Sequence, residues 1–166
     1  LGAQDFRTVG SFSANTYDSG NFYRLDLNAN GRDDLVILSF NTLYVLLDPT
    51  LTMMSGTLNQ LLSTSQFGFG FFGNAFFADF NNDGHIDIGV EFQGIFSAAQ
   101  FLYLRNNGLG GFGAPIGIAF GTSQGAVTTV GDFNGDGQKD IAFWDFPTAG
   151  PPFMTIFRQT SGAYTP

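Results

Sequence analysis

The stretch Asp132-Phe133-Asn134-Gly135-Asp136-Gly137-Gln138-Lys139-Asp140 decides how this 166-residue chain is interpreted, because its pattern occurs three times. The other copies run from Asp79 to Asp87 and from Asp26 to Asp34. Each copy has an oxygen-bearing side chain at places one, three, five and nine, and glycine at place six. Alternate residues of a tight loop can converge on Ca²⁺, which prefers hard oxygen ligands. Glycine permits the sharp turn because it adopts positive φ without a Cβ clash. The pattern therefore predicts three calcium loops.

The predicted ligands are the side-chain oxygens at places one, three, five and nine and the backbone carbonyl at place seven. Place seven holds an arginine, a histidine and a glutamine, which is expected if only the carbonyl touches the ion. The complete set is Asp26, Asn28, Asn30, Arg32 and Asp34 in the first loop, Asp79, Asn81, Asp83, His85 and Asp87 in the second, and Asp132, Asn134, Asp136, Gln138 and Asp140 in the third. We expect the first site to be the weakest, because Asn30 replaces an aspartate there.

Two alternatives compete with the calcium loop. An EF-hand opens in the same way but places a glutamate at place twelve, between two helices. Place twelve here is Ile37, Val90 or Phe143, within short apolar runs that predict buried strands. Ordinary hairpin turns also contain Asx-Gly pairs and need no ion, but three copies with the same ligand pattern favour a metal. The predicted unit is therefore strand, calcium loop, strand.

Composition narrows the possible partners and the location. The formal charge is −8, and eight of the fourteen acidic residues are the loop aspartates, so three bound Ca²⁺ ions would leave a net charge of −2. The chain has no basic stripe for nucleic acid and no apolar run long enough to insert into a membrane. It contains no cysteine, which excludes disulfides and thiol chemistry. Because calcium is abundant outside cells, we expect an extracellular protein, secreted or on the cell surface.

The three loops recur with a period of 53 residues, since Asp26, Asp79 and Asp132 are evenly spaced. Such a period is typical of propellers, solenoids and other arrays in which one unit stacks on the next. The chain is therefore predicted to be a single all-β array with approximate repeats at 6–58, 59–111 and 112–164.

Further strands are predicted around the loops. The third strand of each unit is expected at Thr42–Leu47, Phe101–Arg105 and Met154–Arg158. Residues 1–21 are expected to form an edge strand and a loop. The connection 48–73 is predicted to contain a short helix or a packed loop, followed by a strand from Phe67 to Gly73. Its apolar residues lie at helix-like intervals, namely Leu51, Met54, Leu58, Leu61 and Leu62.

The segment Asn106 to Phe143 resembles the FG-GAP and VCBS repeats of integrin-α-type β-propellers. It contains Phe112-Gly113-Ala114-Pro115, and Gly131 to Gly137 follows at the expected distance. The resemblance extends to all three units and weakens toward Leu1. It implies three tandem four-stranded propeller-type blades, each with its calcium loop between the first two strands. It also implies secreted or surface-displayed proteins that bind glycans or other proteins.

Three blades would form an incomplete β-propeller, because propellers of this family close with about six or seven blades. Uncovered blade faces need caps or partners. Phe6 lies two periods before Phe112, and residue 165 lies one period after it, so the chain begins and ends at the same phase of the repeat. We expect the array to be completed or extended by self-association, as a homo-oligomer or a head-to-tail polymer. A piece of a longer array is the alternative.

The sequence predicts a protein without enzymatic activity. The single histidine is explained by its loop position, and the aspartates are better used as metal ligands than as acid and base. One function that remains is adhesion or lectin-like recognition of a glycan or surface protein. Trp144, Tyr103 and Tyr17 could stack on sugars, although core packing is the expected use of each. The other is a structural subunit of an extracellular filament or matrix.

Overall fold

A computed structural model describes residues 20–49, 59–95, 97–120, 127–145, 150–160 and 163–166 of the chain. Within these ranges the chain forms β-strands and one 3₁₀-helix, Thr64–Gln66, with no α-helix. The predicted all-β class is confirmed. No helix in this part of the chain has the length and apolar character needed to cross a membrane.

The described strands pair in three antiparallel sheets of four, which we call blades 1, 2 and 3. In each blade, strands that follow one another in the sequence are neighbours in the sheet, as in propeller-type blades. Blade 1 contains β1 (Asn21–Leu25), β2 (Asp34–Leu38), β3 (Thr42–Leu46) and β4 (Asn59–Ser63). Blade 2 contains β5 (Gly70–Ala78), β6 (Asp87–Gly94), β7 (Gln100–Leu104) and β8 (Ile116–Ala119). Blade 3 contains β9 (Val127–Gly131), β10 (Asp140–Asp145), β11 (Phe153–Thr160) and β12 (Ala163–Thr165).

Blade 2 lies between the other two blades and buries both of its faces. Side chains alternate between the faces of a strand, so Leu102 of β7 packs in the cluster shared with Val36 of blade 1. Its neighbours Phe101 and Tyr103 point the other way, into the cluster shared with Phe143 of blade 3. The two interfaces between blades are therefore the hydrophobic cores of the protein, and they fix the blades against one another.

The three predicted third strands are present as β3, β7 and β11. The connection 48–73 contains a short helix, Thr64–Gln66, but Leu61 and Leu62 lie in β4, so this part of the apolar stripe forms a strand and not a helix. The helix-like spacing was misleading because β4 pairs with β3 across a register shift that breaks simple alternation. Three of the five stripe residues, Leu51, Met54 and Leu58, lie outside the described residues.

The predicted glycine-rich strand at 67–73 begins later, at Gly70 of β5. A Cβ added at Gly70 would lie 2.3 Å from the carbonyl oxygen of Gln93, so the close packing expected there is present. Residues 1–19, where an edge strand was predicted, lie outside the described part of the chain. The exact repeat boundaries stay a prediction.

Gly89 of β6 offers a test of the interface between blades 2 and 3. A Cβ at this position would lie 2.3 Å from Cζ of the buried Phe101 ring. We expect Gly89→Ala to lower the free energy of unfolding by about 1–3 kcal/mol, because the packed ring cannot move away freely.

Gly117→Ala is the matched control. Its nearest neighbour would be the end of the flexible Gln100 side chain, at 3.0 Å. Urea unfolding should show a change below about 1 kcal/mol for this variant. Equal losses in the two variants would contradict the packing described for Phe101.

Candidate metal-binding loops

The three predicted calcium loops connect the first and second strands of the three blades. Place one follows β1, β5 or β9, and place nine is the first residue of β2, β6 or β10. The predicted order of strand, loop and strand is therefore confirmed for each unit. The fifteen predicted site residues lie in these loops, five in each. No loop contains predicted residues of another.

The same backbone conformation recurs in all three loops. The glycines at place six have φ of 82°, 88° and 86° at Gly31, Gly84 and Gly137. A Cβ at any of them would meet nothing within 4 Å, so glycine is required for its conformation and not for space. Place four is also left-handed, with φ of 56° at Ala29 and 61° at Asn82. Two left-handed residues within three positions turn the chain sharply enough to bring places one and five together.

Place one closes each loop by accepting backbone hydrogen bonds from places five and six. The Asp26 carboxylate accepts the N–H groups of Asn30 and Gly31 at 3.0 and 2.8 Å. The corresponding distances are 3.1 and 2.7 Å at Asp79, and 3.2 and 2.9 Å at Asp132. The N–H of Gly137, above all, holds the pKa of Asp132 below its usual value. The Asp132 carboxylate is thus kept ionised, and the hydrogen bonds direct all three place-one carboxylates into their loops.

Places three and five turn their oxygens inward in the same way. Asn81 Oδ1 accepts the N–H of Asp83 at 3.2 Å, and Asp83 Oδ1 accepts the N–H of His85 at 2.9 Å. The third loop repeats both contacts, from Asp136 to Asn134 at 2.9 Å and from Gln138 to Asp136 at 2.8 Å. Each oxygen retains lone pairs beyond these bonds. Three exposed or half-buried side-chain oxygens therefore face the interior of one loop.

Place nine has a structural role that the sequence pattern did not reveal. Asp34, Asp87 and Asp140 are at most 1% exposed. One oxygen of each accepts the N–H of place two, with Leu27 at 2.8 Å, Phe80 at 2.9 Å and Phe133 at 3.2 Å. The other accepts an N–H from the end of the third strand or just beyond it, with Asp48 at 2.7 Å, Asn106 at 2.8 Å and Gln159 at 3.1 Å. This aspartate joins the loop to the third strand, and its role as a ligand stays a prediction.

Burial has an electrostatic cost for these carboxylates. Burial raises the pKa of Asp87, and the N–H groups of Asn106 and Phe80 oppose the rise. A carboxylate in this position is favourable only because both oxygens are hydrogen-bonded. The buried aspartate at place nine therefore needs the loop conformation that supplies the N–H of place two, and its carboxylate in turn stabilises that conformation.

The donor chemistry of the loops fits a hard cation. Among the described residues, no group of three or more Asp, Glu or His side chains is placed to hold a metal ion by itself. A site in one of these loops must therefore also use the asparagine oxygens and the place-seven carbonyl. Oxygen donors of this mixed kind suit Ca²⁺ or Mg²⁺ and not zinc or copper.

Side-chain amides link the first and second loops to the following blade. Asn106 Nδ2 donates to the carbonyl of Leu27 at 2.7 Å and to that of Ile86 at 2.9 Å. Gln159 Nε2 donates to the carbonyl of Phe80 at 2.6 Å. Donors and acceptors are each one 53-residue period apart, so one contact is repeated at both interfaces. The only sequence signal was an amide side chain nineteen residues after place nine in units two and three.

A tyrosine adds to the second interface. The Tyr164 hydroxyl donates to the carbonyl of Lys139 at 3.0 Å and lies 3.3 Å from that of Phe80. Burial raises the pKa of this phenol well above its usual value, so it remains a donor. Of the proposed sugar-stacking residues, Tyr103 is only 1% exposed and belongs to the core, whereas Trp144 is 41% exposed. Tyr17 lies outside the described residues.

The first loop is held differently from the other two. Asp48, which follows β3, accepts the side-chain amides of Asn28 at 3.1 Å and Asn30 at 2.5 Å. It also pairs with Arg32 Nη2 at 2.8 Å. These contacts, with the Asn30 amide first among the favourable ones, keep the pKa of Asp48 below its usual value.

The family model of the FG-GAP-like repeat matches residues 26–90. The match begins at place one of the first loop and ends in β6, so it contains the first two loops and the strands between them. It supports the assignment of the chain as an FG-GAP-like repeat protein, as the sequence resemblance predicted. The segment 106–143, which carries the most literal motif, lies outside the matched residues. No curated protein matches the chain.

The amide bridge between blades 1 and 2 can be tested with a nearly isosteric change. Asn106→Asp keeps the oxygen that accepts the N–H of Gly108 but removes both donors to the carbonyls of Leu27 and Ile86. We expect a loss of about 2–4 kcal/mol in urea unfolding, because two carbonyls lose their donor beside a new charge.

Asn107→Asp makes the same change one residue later. Its oxygen accepts the N–H groups of Leu109 and Gly111, and the side chain is exposed. An aspartate preserves both bonds, so stability should change by less than about 0.5 kcal/mol. Similar losses in both variants would rule out a stabilising bridge at Asn106.

Proposed function

We propose that this chain is a non-catalytic, extracellular, calcium-binding blade-repeat protein that self-associates and mediates adhesion or recognition of a glycan or protein. The observation that carries the proposal is the repetition of one loop structure at the same place in three stacked blades. In each loop the oxygens of places one, three and five face inward. An ordinary turn does not require inward-facing side-chain oxygens at the same three places in every copy.

The proposed role of calcium is structural. The residues that would hold an ion are the fifteen predicted ones, with places one, three and five contributing side chains that solvent can reach. A bound Ca²⁺ would neutralise carboxylates that otherwise repel one another across a short loop. Each loop lies between two paired strands, so ion binding would be coupled to the stability of the blade.

The surroundings of the titratable groups favour binding over catalysis. His85 lies against Gly108, where an added Cβ would be 2.4 Å from the imidazole. The described lining of a cavity of about 440 Å³ consists of Thr64, Ser65, Gly68, Phe69 and Gly70, without an acid, a base or a cysteine. Neither region supplies the pair of groups that proton transfer or covalent catalysis requires.

Exposed apolar side chains on blade 3 support a binding surface. Trp144 and Met154 are neighbours across β10 and β11 and are 41% and 57% exposed. An aromatic side chain of this kind can stack on the apolar face of a sugar or pack against a protein. This pair is the surface that we propose for recognition.

Self-association is supported by a difference among equivalent loop residues. Leu27 and Phe80, at place two of the first and second loops, are 2% and 0% exposed, and each carbonyl accepts an amide from the next blade. Phe133 holds the same place in the third loop and is 47% exposed. A blade from another molecule could cover this face. Repeated head to tail, that contact would make the chain a structural subunit of a filament or matrix, which is the second function we propose.

Removal of calcium tests the metal proposal. Excess EGTA should lower the melting temperature by more than about 5 °C, since it removes three stabilising ions. Restoring calcium should restore the transition. Asp136→Ala should reduce the calcium-dependent part of the stability more than Asn30→Ala, because it removes a charged ligand. An unchanged melting temperature in excess EGTA would refute calcium as a structural ion.

Particle mass tests self-association and its proposed surface. Light scattering in calcium buffer should show assemblies larger than one chain. Phe133→Ser should shift them toward monomers if the exposed place-two face of blade 3 forms the contact. Leu109→Ser removes a more exposed apolar side chain, 78% against 47% at Phe133, from a turn of blade 2 and should leave the mass unchanged. A monomer at all concentrations would contradict both the oligomer and the filament.

A further inference from the structure

Place five has two functions in the second and third loops. One oxygen of its aspartate accepts the N–H of place seven, as described above. The other accepts the side-chain amide of place three, from Asn81 to Asp83 at 2.7 Å and from Asn134 to Asp136 at 2.9 Å. Because the amide nitrogen is bound by place five, the amide oxygen of place three is fixed toward the N–H of place five. Place five thus orients a second ligand besides being one.

The first loop lacks this arrangement within its nine residues. Its place five is Asn30, whose single oxygen already accepts the N–H of Arg32 at 2.8 Å. An asparagine has no second oxygen to hold the amide of Asn28. From the motif alone, Asn28 would be unconstrained and the loop would have one carboxylate fewer than the others.

Asp48 supplies both missing features from outside the motif. Its Oδ2 accepts the amide of Asn28 and its Oδ1 accepts the amide of Asn30. With both nitrogens held, Asn28 Oδ1 lies 3.3 Å from the N–H of Asn30, in the inward orientation found in the other loops. At its predicted ligand places the first loop has two carboxylates, Asp26 and Asp34, and Asp48 adds a third that contacts the loop through its asparagines.

The backbone explains why Asp48 can reach this position. Its N–H is held by Asp34, as the N–H groups of Asn106 and Gln159 are held by their own place-nine aspartates. Those two residues send their side chains to the preceding blade. Asp48 has φ of 47°, a left-handed conformation that aspartate tolerates better than most residues, whereas Asn106 and Gln159 do not. Its side chain therefore turns back onto its own loop.

Arg32 also contacts Asp48. Its guanidinium pairs with Asp48, while 62% of the arginine side chain is exposed to solvent. An exposed pair of this kind contributes little to stability, so a divalent ion can replace the guanidinium as the counter-charge at small cost. The equivalent residues in the other loops, His85 and Gln138, carry no permanent charge.

We infer that Asp48 is a positioning residue of the first calcium site, and that it restores the carboxylate which place five of that loop lacks. This inference rests on the proposed calcium function. It changes the expectation from the sequence motif, because the first site should now bind calcium in the same affinity range as the other two.

Calorimetric titration of Ca²⁺ into calcium-depleted protein tests the inference. We expect three ions for the unchanged chain. Asp48→Asn should leave the second and third sites unaltered and weaken the first site by about tenfold or more, as loss of a residue that orients ligands commonly does. Asp33→Asn is the control: it removes the same charge from the exposed carboxylate at place eight of this loop, which is not a predicted ligand and pairs with Arg24 Nε at 3.2 Å. All three sites should persist in this control.

A second readout needs no calcium. In the depleted protein, the side-chain NH₂ resonances of Asn28 and Asn30 should shift in Asp48→Asn and stay in place in Asp33→Asn. Arg32→Gln, which leaves Asp48 intact, should retain three sites, the first at least as tight as before. This variant keeps the inference testable if Asp48→Asn does not fold.

The contrary outcomes are distinct. Three ions with identical affinities in Asp48→Asn and Asp33→Asn would refute the role of Asp48 and leave the calcium function intact. Two ions in the unchanged chain and three in Arg32→Gln would show that arginine replaces calcium in the first loop, which also refutes it. No binding by the unchanged chain would refute the proposed function, and the inference with it.

Discussion

The structure depends on a buried carboxylate that accepts two backbone hydrogen bonds. The place-nine aspartates bind the N–H of place two with one oxygen and an N–H near the end of the third strand with the other. An unpaired charge at 0–1% exposure would be strongly unfavourable. The loop must therefore keep the shape that presents place two, and the third strand must end where its N–H reaches the aspartate. One side chain in each blade thus couples a surface loop to the sheet beneath it.

The blades join where this carboxylate has ordered the loop. Once place two is held, its carbonyl faces the next blade and accepts an amide from Asn106 or Gln159. The place-two side chains Leu27 and Phe80 are buried in the same region. The polar contacts between blades are therefore centred on the loops, and the place-two side chains add to the strand residues that form the rest of each core. If an ion stabilises a loop, it stabilises the interface as well.

Local features of the chain could be predicted from sequence, and contacts between distant residues could not. The spacing of Asp132 to Asp140 and its two earlier copies was enough to place the loops between strands, because apolar runs flank each copy and glycine at place six permits the sharp turn between them. The pattern also marked place nine, but only as a ligand, since sequence does not show burial. The bridge from Asn106 to Leu27 spans 79 residues, and the recurring amide nineteen residues after place nine does not identify its acceptor. Leu61 and Leu62 had helical spacing, yet pairing with β3 decided their conformation.

The central claim is that the place-nine aspartate holds the loop and the third strand together, and amide hydrogen exchange tests it most directly. The N–H groups of Phe80 and Asn106 both donate hydrogen bonds to the Asp87 carboxylate. We predict that these two amides exchange only on global unfolding, as slowly as the core amides of β6, and that both lose protection together in Asp87→Ala. Fast exchange at either amide in the unchanged protein would contradict the account, because the carboxylate would then not be holding that backbone group.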